Sequence, residues 1–406
     1  MKIPIHSPSG PVLTRGMVLL ISVATGIAVA GNYYSQPLLH TIATELGVSF
    51  AQAGNIVTTA QLSYGAGLLL LLPLADLLEQ RRLIVVMSML AALGLLLSGF
   101  ATSLPWLLVG TALTGLCSVV AQVLVPFAAT LAKPEQRGRV VGTVMSGLLM
   151  GILLARTAAG ALSSVAGWRT VFWAAALLMF VTAIALALAM PRYRQNAGLS
   201  YSRLLASVVT LFKQEPVLRL RALLGMLSFA LFSLFWTPLA FLLGEPPYGY
   251  SDATIGLFGL VGAAGALAAS WAGRLADRGK GVAVTQLGLL GLLLAWIPLG
   301  FAPVSLFSLL AGVLLLDLAV QMVHISNQNA IYKMRPEARN RLNAGYMTCY
   351  FIGGSFGSWL AANLYQNHGW VGVTIAGVAL ASIGVVIGVV GLRSQVKESS
   401  NPGSQG

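Results

Sequence analysis

Residues 104–139 read LPWLLVGTALTGLCSVVAQVLVPFAATLAKPEQRGR, an uncharged run of spanning length closed by a basic segment. A helix needs about 20 apolar residues to cross about 30 Å of hydrocarbon, so this run predicts a membrane crossing. The pattern repeats in both directions. Other apolar runs cover 17–39, 54–75, 83–101, 140–165 and 171–190, and six more cover 220–243, 255–275, 282–302, 304–332, 343–364 and 371–392. Only helices and closed barrels pair every backbone group in lipid, and the alternation of barrel strands is absent. The first run is too long for a signal-peptide core and lacks a cleavage site, so it counts as a crossing. The expectation is an all-α membrane protein with 12 transmembrane helices.

Composition agrees with this. Of 406 residues, 57% are hydrophobic and only 9% charged, whereas a soluble domain carries about a quarter charged residues. Twelve spans leave only short connections, which excludes a separate soluble enzyme domain. Cys117 and Cys349 both lie inside apolar runs and offer neither a disulfide framework nor a metal site. The sequence contains no Gly-x-x-x-x-Gly-Lys-Ser/Thr loop and no His-Glu-x-x-His, so neither ATP hydrolysis by that loop nor a metal or other cofactor is expected. Energy for work must then come from a gradient, worth about 2.3 kcal/mol per charge per 100 mV.

The net charge of +13 is a topology signal. With both termini on one side, 22 of the 24 lysines and arginines fall on that side; Arg169 lies opposite and Arg156 within a span. The positive-inside rule therefore places both termini in the cytoplasm. These charges are spread over seven segments, not gathered on one basic face, so nucleic acid is not an expected partner.

The chain is also written twice. Pro134-Glu135-Gln136-Arg137-Gly138-Arg139 recurs 202 residues later as Pro336-Glu337-Ala338-Arg339-Asn340-Arg341. At that offset Gly151 matches Gly353 and Gly167-Trp168 matches Gly369-Trp370, and one residue out of step Leu74-Ala75-Asp76 matches Leu275-Ala276-Asp277. The expected organisation is a cytoplasmic segment 1–16, a six-helix bundle 17–190, a cytoplasmic linker 191–219, a second bundle 220–392 and a disordered cytoplasmic tail 393–406. The bundles would be related by a parallel pseudo-two-fold around a central cavity.

This organisation resembles the major facilitator superfamily over nearly the whole chain. Its loop motif after helix 2, Gly-x-Leu-Ala-Asp-Arg-x-Gly-Arg-Arg, appears degenerately as Leu72-Pro73-Leu74-Ala75-Asp76-Leu77-Leu78-Glu79-Gln80-Arg81-Arg82, and more closely after helix 8 as Gly273-Arg274-Leu275-Ala276-Asp277-Arg278. Within the superfamily the chain is similar to the twelve-helix drug–proton antiporters and related bacterial efflux proteins. Their helix-5 glycine spacing is kept by Gly142, Gly151, Ala155-Arg156 and Ala159-Gly160, but Arg156 replaces the proline. Thr111, four residues before Gly115, replaces the arginine usual in helix 4. The resemblance implies that helices 1, 4, 7 and 10 line the cavity. Asn32, Tyr33, Gln36, Ser118, Gln122 and Trp236 are then candidates to touch substrate. At the cytoplasmic helix ends Asp76 and Asp277 could pair with Arg81, Arg82 or Arg278 or sit at a neighbouring helix N-terminus; the resemblance implies a gate latch there, and solvated loop charges are the alternative.

Charge inside the membrane points to chemistry. Asp317, Gln321, His324 and Gln328 fall at i, i+4, i+7 and i+11, so one face of helix 10 is polar. An unpaired carboxylate in mid-span costs at least about 3 kcal/mol, so Asp317 must face the interior, neutral or paired, as suits a group that takes and gives a proton. His324 on the same face is a second candidate for the proton or the substrate, and Gln321 and Gln328 are candidates for substrate. A structural polar network between helices is the alternative. Arg156 needs an anion or several acceptors, supplied by Asp317, by an acidic substrate or by helix carbonyls. Prolines Pro37 and Pro238 predict kinks, and the stripes Gly147/Gly151/Ala155 and Gly353/Gly357/Ala361 predict close helix approach at surfaces that slide.

The reading is a monomeric secondary transporter that exports a small organic molecule in exchange for protons, with lipid and protons as its other partners. Uptake or facilitated diffusion, perhaps of an anion held by Arg156, is the alternative, and a membrane sensor or channel a remoter one.

Overall fold

The computed structural model describes residues 13–194, 200–275, 280–335 and 338–400. These residues build helices α1 (Arg15–Ala30), α2 (Leu39–Leu46), α3 (Phe50–Leu70), α4 (Gln80–Gly99), α5 (Leu104–Ser118), α6 (Val120–Leu131), α7 (Arg137–Ala166) and α8 (Trp168–Ala189), followed by α9 (Tyr201–Gln214), α10 (Pro216–Trp236), α11 (Leu239–Gly244), α12 (Asp252–Leu275), α13 (Gly281–Gly300), α14 (Leu306–Tyr332) and α15 (Arg339–Ser400). Among the described residues nine helical stretches are long and apolar enough to cross a membrane, and Arg15–Ala30 and Asp252–Gly265 are shorter apolar helices. A count of twelve requires taking the stretch Arg341–Arg393, which folds back at Gly369, as two crossings and adding both short helices.

The helices have two distinct ends. Arg81, Arg137, Arg219, Arg335, Arg339 and Arg341 cluster at one, here called the basic end. The opposite end is turned by glycines in the positive-φ region, Gly47 at 62° and Gly369 at 60°. At Gly369 this backbone reverses α15 without a loop, a conformation that a side chain would strain. Next to Gly47, Ser49 and Gln52 form a capping box that starts α3 and fixes the position of Phe50.

Prolines do more than kink. Helix α1 stops at Ala30 and Pro37 sits in a single 3-10 turn, Gln36–Leu38, while α10 stops at Trp236 and Pro238 precedes the short α11. Each proline removes a backbone N–H and crowds the preceding turn, so two predicted spans become broken helices. Asn32, Tyr33, Gln36, Trp236 and Thr237 lie at or beside the breaks and are buried.

Packing within each half of the chain uses the small residues. A Cβ at Gly151 would lie 2.2 Å from the Gly26 carbonyl oxygen, and one at Gly357 2.1 Å from the Ala230 carbonyl oxygen. The stripes therefore lock α7 on α1 and α15 on α10, inside one half in each case, not on the surface between halves as a sliding role requires. Between the two halves, α3 packs on α15 and α7 on α12. Apolar side chains such as Leu177, Leu188, Phe307 and Val371 stand exposed on the outside, as a lipid-facing surface requires.

Candidate functional site

Two buried charges meet midway between the halves. Arg156 on α7 is 4% exposed and Asp317 on α14 7% exposed, so neither is a lipid-facing or solvated charge. The Arg156 guanidinium lies 4.8 Å from the centre of the Tyr33 ring, 4.3 Å from that of Trp236 and 5.8 Å from that of Phe232, while its Nε donates to the Gln36 Oε1 at 2.7 Å. Its Nη2 has no hydrogen-bond partner among the described residues. At the edge of the same indole, the Trp236 Nε1 donates to Asp317 Oδ1 at 3.1 Å. No hydrogen bond to the other carboxylate oxygen is formed by the described residues. Arg156 and Asp317 are not within ion-pair distance, and Trp236 touches both, its ring under the guanidinium and its N–H on the carboxylate.

Glycines make room for both. A Cβ at Gly259 of α12 would sit 3.1 Å from the Arg156 Cβ, and one at Gly262 2.1 Å from Asp317 Oδ2. Residues three apart share one helix face. Helix α12 therefore offers one side-chain-free strip against both charges, and any larger residue at 262 would displace the carboxylate.

The other candidates divide into groups. Asn32, Gln36 and Ser118 are buried, each with a polar atom that lacks a partner, and Gln122 donates to the Tyr64 hydroxyl at 3.4 Å. Gln321 is half-buried. Towards the basic end His324 is 3.0 Å from the Tyr346 hydroxyl through Nδ1 and packs on the Tyr350 ring, while Gln328 reaches Asn343 Oδ1 at 3.5 Å. The helix-10 polar face thus splits: Asp317 turns to α10, and His324 and Gln328 turn to α15.

The latch differs from expectation. Asp76 forms no ion pair with Arg81 or Arg82; the Arg81 Nη1 donates to the Met190 carbonyl at 3.2 Å. Asp76 ends the 3-10 turn Leu72–Asp76; burial raises its pKa, and the charge of Arg341 from the second half acts in the opposite direction. Asp277 and Arg278 lie outside the described residues.

Three features were not anticipated. Arg221, counted with the basic loops, is buried inside α10, where its Nη1 donates to Thr285 at 2.8 Å and to Asn327 at 3.2 Å. Gln61 is fully buried on α3 with both side-chain polar atoms unpaired. Most informative is Asp252, at the opposite end: it is buried and accepts from Thr41 at 2.7 Å and from Ser163 at 2.6 Å, both in the first half of the chain. An acid directly before an apolar run was a legible helix start, but its partners 89 and 211 residues away were not.

Contacts between the halves concentrate at that end. The Ala253 N–H donates to Ser164 at 3.0 Å, the Phe50 N–H to Gln366 at 2.9 Å, and Phe50 stacks on Phe241 with centroids 4.5 Å apart. Deeper in, Thr58 meets Ser358 at 3.2 Å and Tyr64 meets Phe351 at 4.4 Å. Beyond Tyr64 and Arg156 towards the basic end, no hydrogen bond joins α3 or α7 to the second half among the described residues. Arg169, the lone basic residue at the opposite end, is paired with Glu45.

Comparison with known proteins agrees with this architecture. The sequence profile of the Major Facilitator Superfamily matches residues 21–285 and 248–406. A relative described as an uncharacterized transporter, YgaY of Escherichia coli O157:H7, is 55% identical over 383 residues, covering 94% of this chain and 97% of its own. The chloramphenicol resistance protein of Streptomyces lividans is 26% identical over 295 residues, covering 71% of this chain and 74% of its own. Among solved structures, the fold is similar to that of a bacterial homolog of the human lysosomal transporter Spinster in an inward-facing, occupied conformation, with a TM-score of 0.79 at 15% identity over 96% of this chain and 99% of that one.

Proposed function

Because the chain belongs to the Major Facilitator Superfamily and is a membrane transporter, not an enzyme, we propose that it exports a small organic solute in exchange for protons by alternating access. In this reading twelve crossings form two bundles of six, and both termini face the cytoplasm of a bacterium, as the placement of lysine and arginine favours. The observation that carries the proposal is the Asp317–Trp236–Arg156 assembly, a carboxylate buried between the halves with one oxygen unpaired by protein. A carboxylate so placed is costly to keep charged without a partner, so it alternates between a proton and a solute. Arg156 stays in place through both states because π faces and an amide hold it instead of a carboxylate.

The polar contacts at the end opposite the basic loops describe a clasp on the outer side, with Asp252 as its charged member. Asp76 and Arg341 are the counterpart charges that approach from the two halves at the basic end. Export fits the relative named for chloramphenicol resistance, whose name describes protection from a small organic compound. Uptake of an anion is the second reading, favoured by the unpartnered Arg156 Nη2. In liposomes with an imposed pH gradient, antiport predicts solute movement against the proton flow; in the Asp317→Asn variant that movement stops while solute–solute counterflow continues. Gradient-driven transport at wild-type rate in the variant contradicts the proposal.

A further inference from the structure

We propose that the solute bound at this site is a small zwitterion, its carboxylate on Arg156, its ammonium on Asp317 and its apolar body over Tyr33 and Trp236. The inference rests on the central site of the preceding section and names its substrate class. Arg156 offers Nη2, buried and without a partner, and Asp317 offers the oxygen that Trp236 does not occupy. These two groups have opposite sign and share one indole, which touches both residues. The charges do not neutralise each other directly, since they are beyond ion-pair distance.

Singly charged solutes fit worse. Once Asp317 has given up its proton, an anion would answer Arg156 and leave the ionised carboxylate unmatched in a low-dielectric wall, and a cation would leave Arg156 unmatched; each uncompensated buried charge is costly. A zwitterion answers both at zero net charge, with charge-assisted hydrogen bonds of about 2.8 Å at each end. The surroundings accept the remainder of such a molecule: the Tyr33, Phe232 and Trp236 rings receive an apolar body, and Gln36 Nε2 and Asn32 Oδ1, both unpaired, are added polar contacts. The ammonium and the proton would then compete for one carboxylate, which is how binding at the inner side would displace the proton.

The test is equilibrium binding of three radiolabelled probes that share one body to the full-length protein in nanodiscs: phenylalanine, 3-phenylpropionate without the ammonium, and phenethylamine without the carboxylate. The proposal predicts that phenylalanine binds at least tenfold more tightly than either. Arg156→Gln should erase its advantage over phenethylamine, and Asp317→Asn its advantage over phenylpropionate. Equal binding, preference for a singly charged probe, or no binding of any of the three overturns it, and these outcomes need only the wild-type protein. Because binding is read without a gradient, a zwitterion preference without pH-driven flux would sink the antiport reading and leave this one standing.

Discussion

Asp252 gives the sharpest forecast about conformation. Its carboxylate accepts from Thr41 at 2.7 Å in a part-buried bond and from Ser163 at 2.6 Å in a buried one. Hydrogen bonds to a charged group contribute about 1.5–3 kcal/mol each. Taking the lower figure, Asp252→Ala removes about 3 kcal/mol from the state in which this end is closed, or about a hundredfold in its equilibrium at about 1.4 kcal/mol per tenfold. A closed state favoured about 99:1 would fall to near parity with the open one. The change is readable by double electron–electron resonance between spin labels at Thr44 of α2 and Asn367 of α15, both exposed at this end, in a background lacking Cys117 and Cys349. The wild type should give one short distance and the variant two populations of similar weight. A single unshifted distance in Asp252→Ala would refute the clasp.

Gly160→Ala should open the same end, because the new Cβ would lie 2.1 Å from the Asp252 carbonyl oxygen, and the same label pair reads it. Gly151→Ala acts inside the first half, where its Cβ would meet the Gly26 carbonyl at 2.2 Å; overpacking of about 1–3 kcal/mol should lower the melting temperature without favouring either conformation. Trp236→Phe keeps a ring beside Arg156 and loses the N–H bonded to Asp317, so pH-driven flux should fall on the order of tenfold in liposomes, in line with loss of one hydrogen bond to a charged group. Glu45→Gln breaks a part-exposed pair with Arg169 but keeps an oxygen that can accept from the Trp168 Nε1, so it should change stability by less than about 1 kcal/mol in a thermal melt.

Long features were legible in the sequence and lateral ones were not. Uncharged runs such as Leu104–Leu131 announce crossings because lipid enforces continuous apolar helices, and Asp317 and Arg156 stood out because a charge inside such a run has no inexpensive lipid-facing solution. The prolines located the broken helices, although the breaks proved sharper than kinks. Partner choice depends on which helices become neighbours, which one sequence does not encode locally. For that reason the indole shared by Arg156 and Asp317, the charge of Arg341 felt by Asp76, and the reach of Asp252 to Thr41 and Ser163 all required the fold. Arg221 shows the same limit in reverse: close to a helix start it reads as a loop cation, yet Thr285 and Asn327 hold it inside.

Infrared difference spectroscopy of the protein in nanodiscs, recorded between acidic and alkaline buffer, tests most directly whether the carboxyl group on α14 is the one that changes its proton. The account predicts a protonated-carboxyl band that comes and goes with pH in the wild type and is missing from Asp317→Asn. The same band, unaltered in that variant, would contradict it.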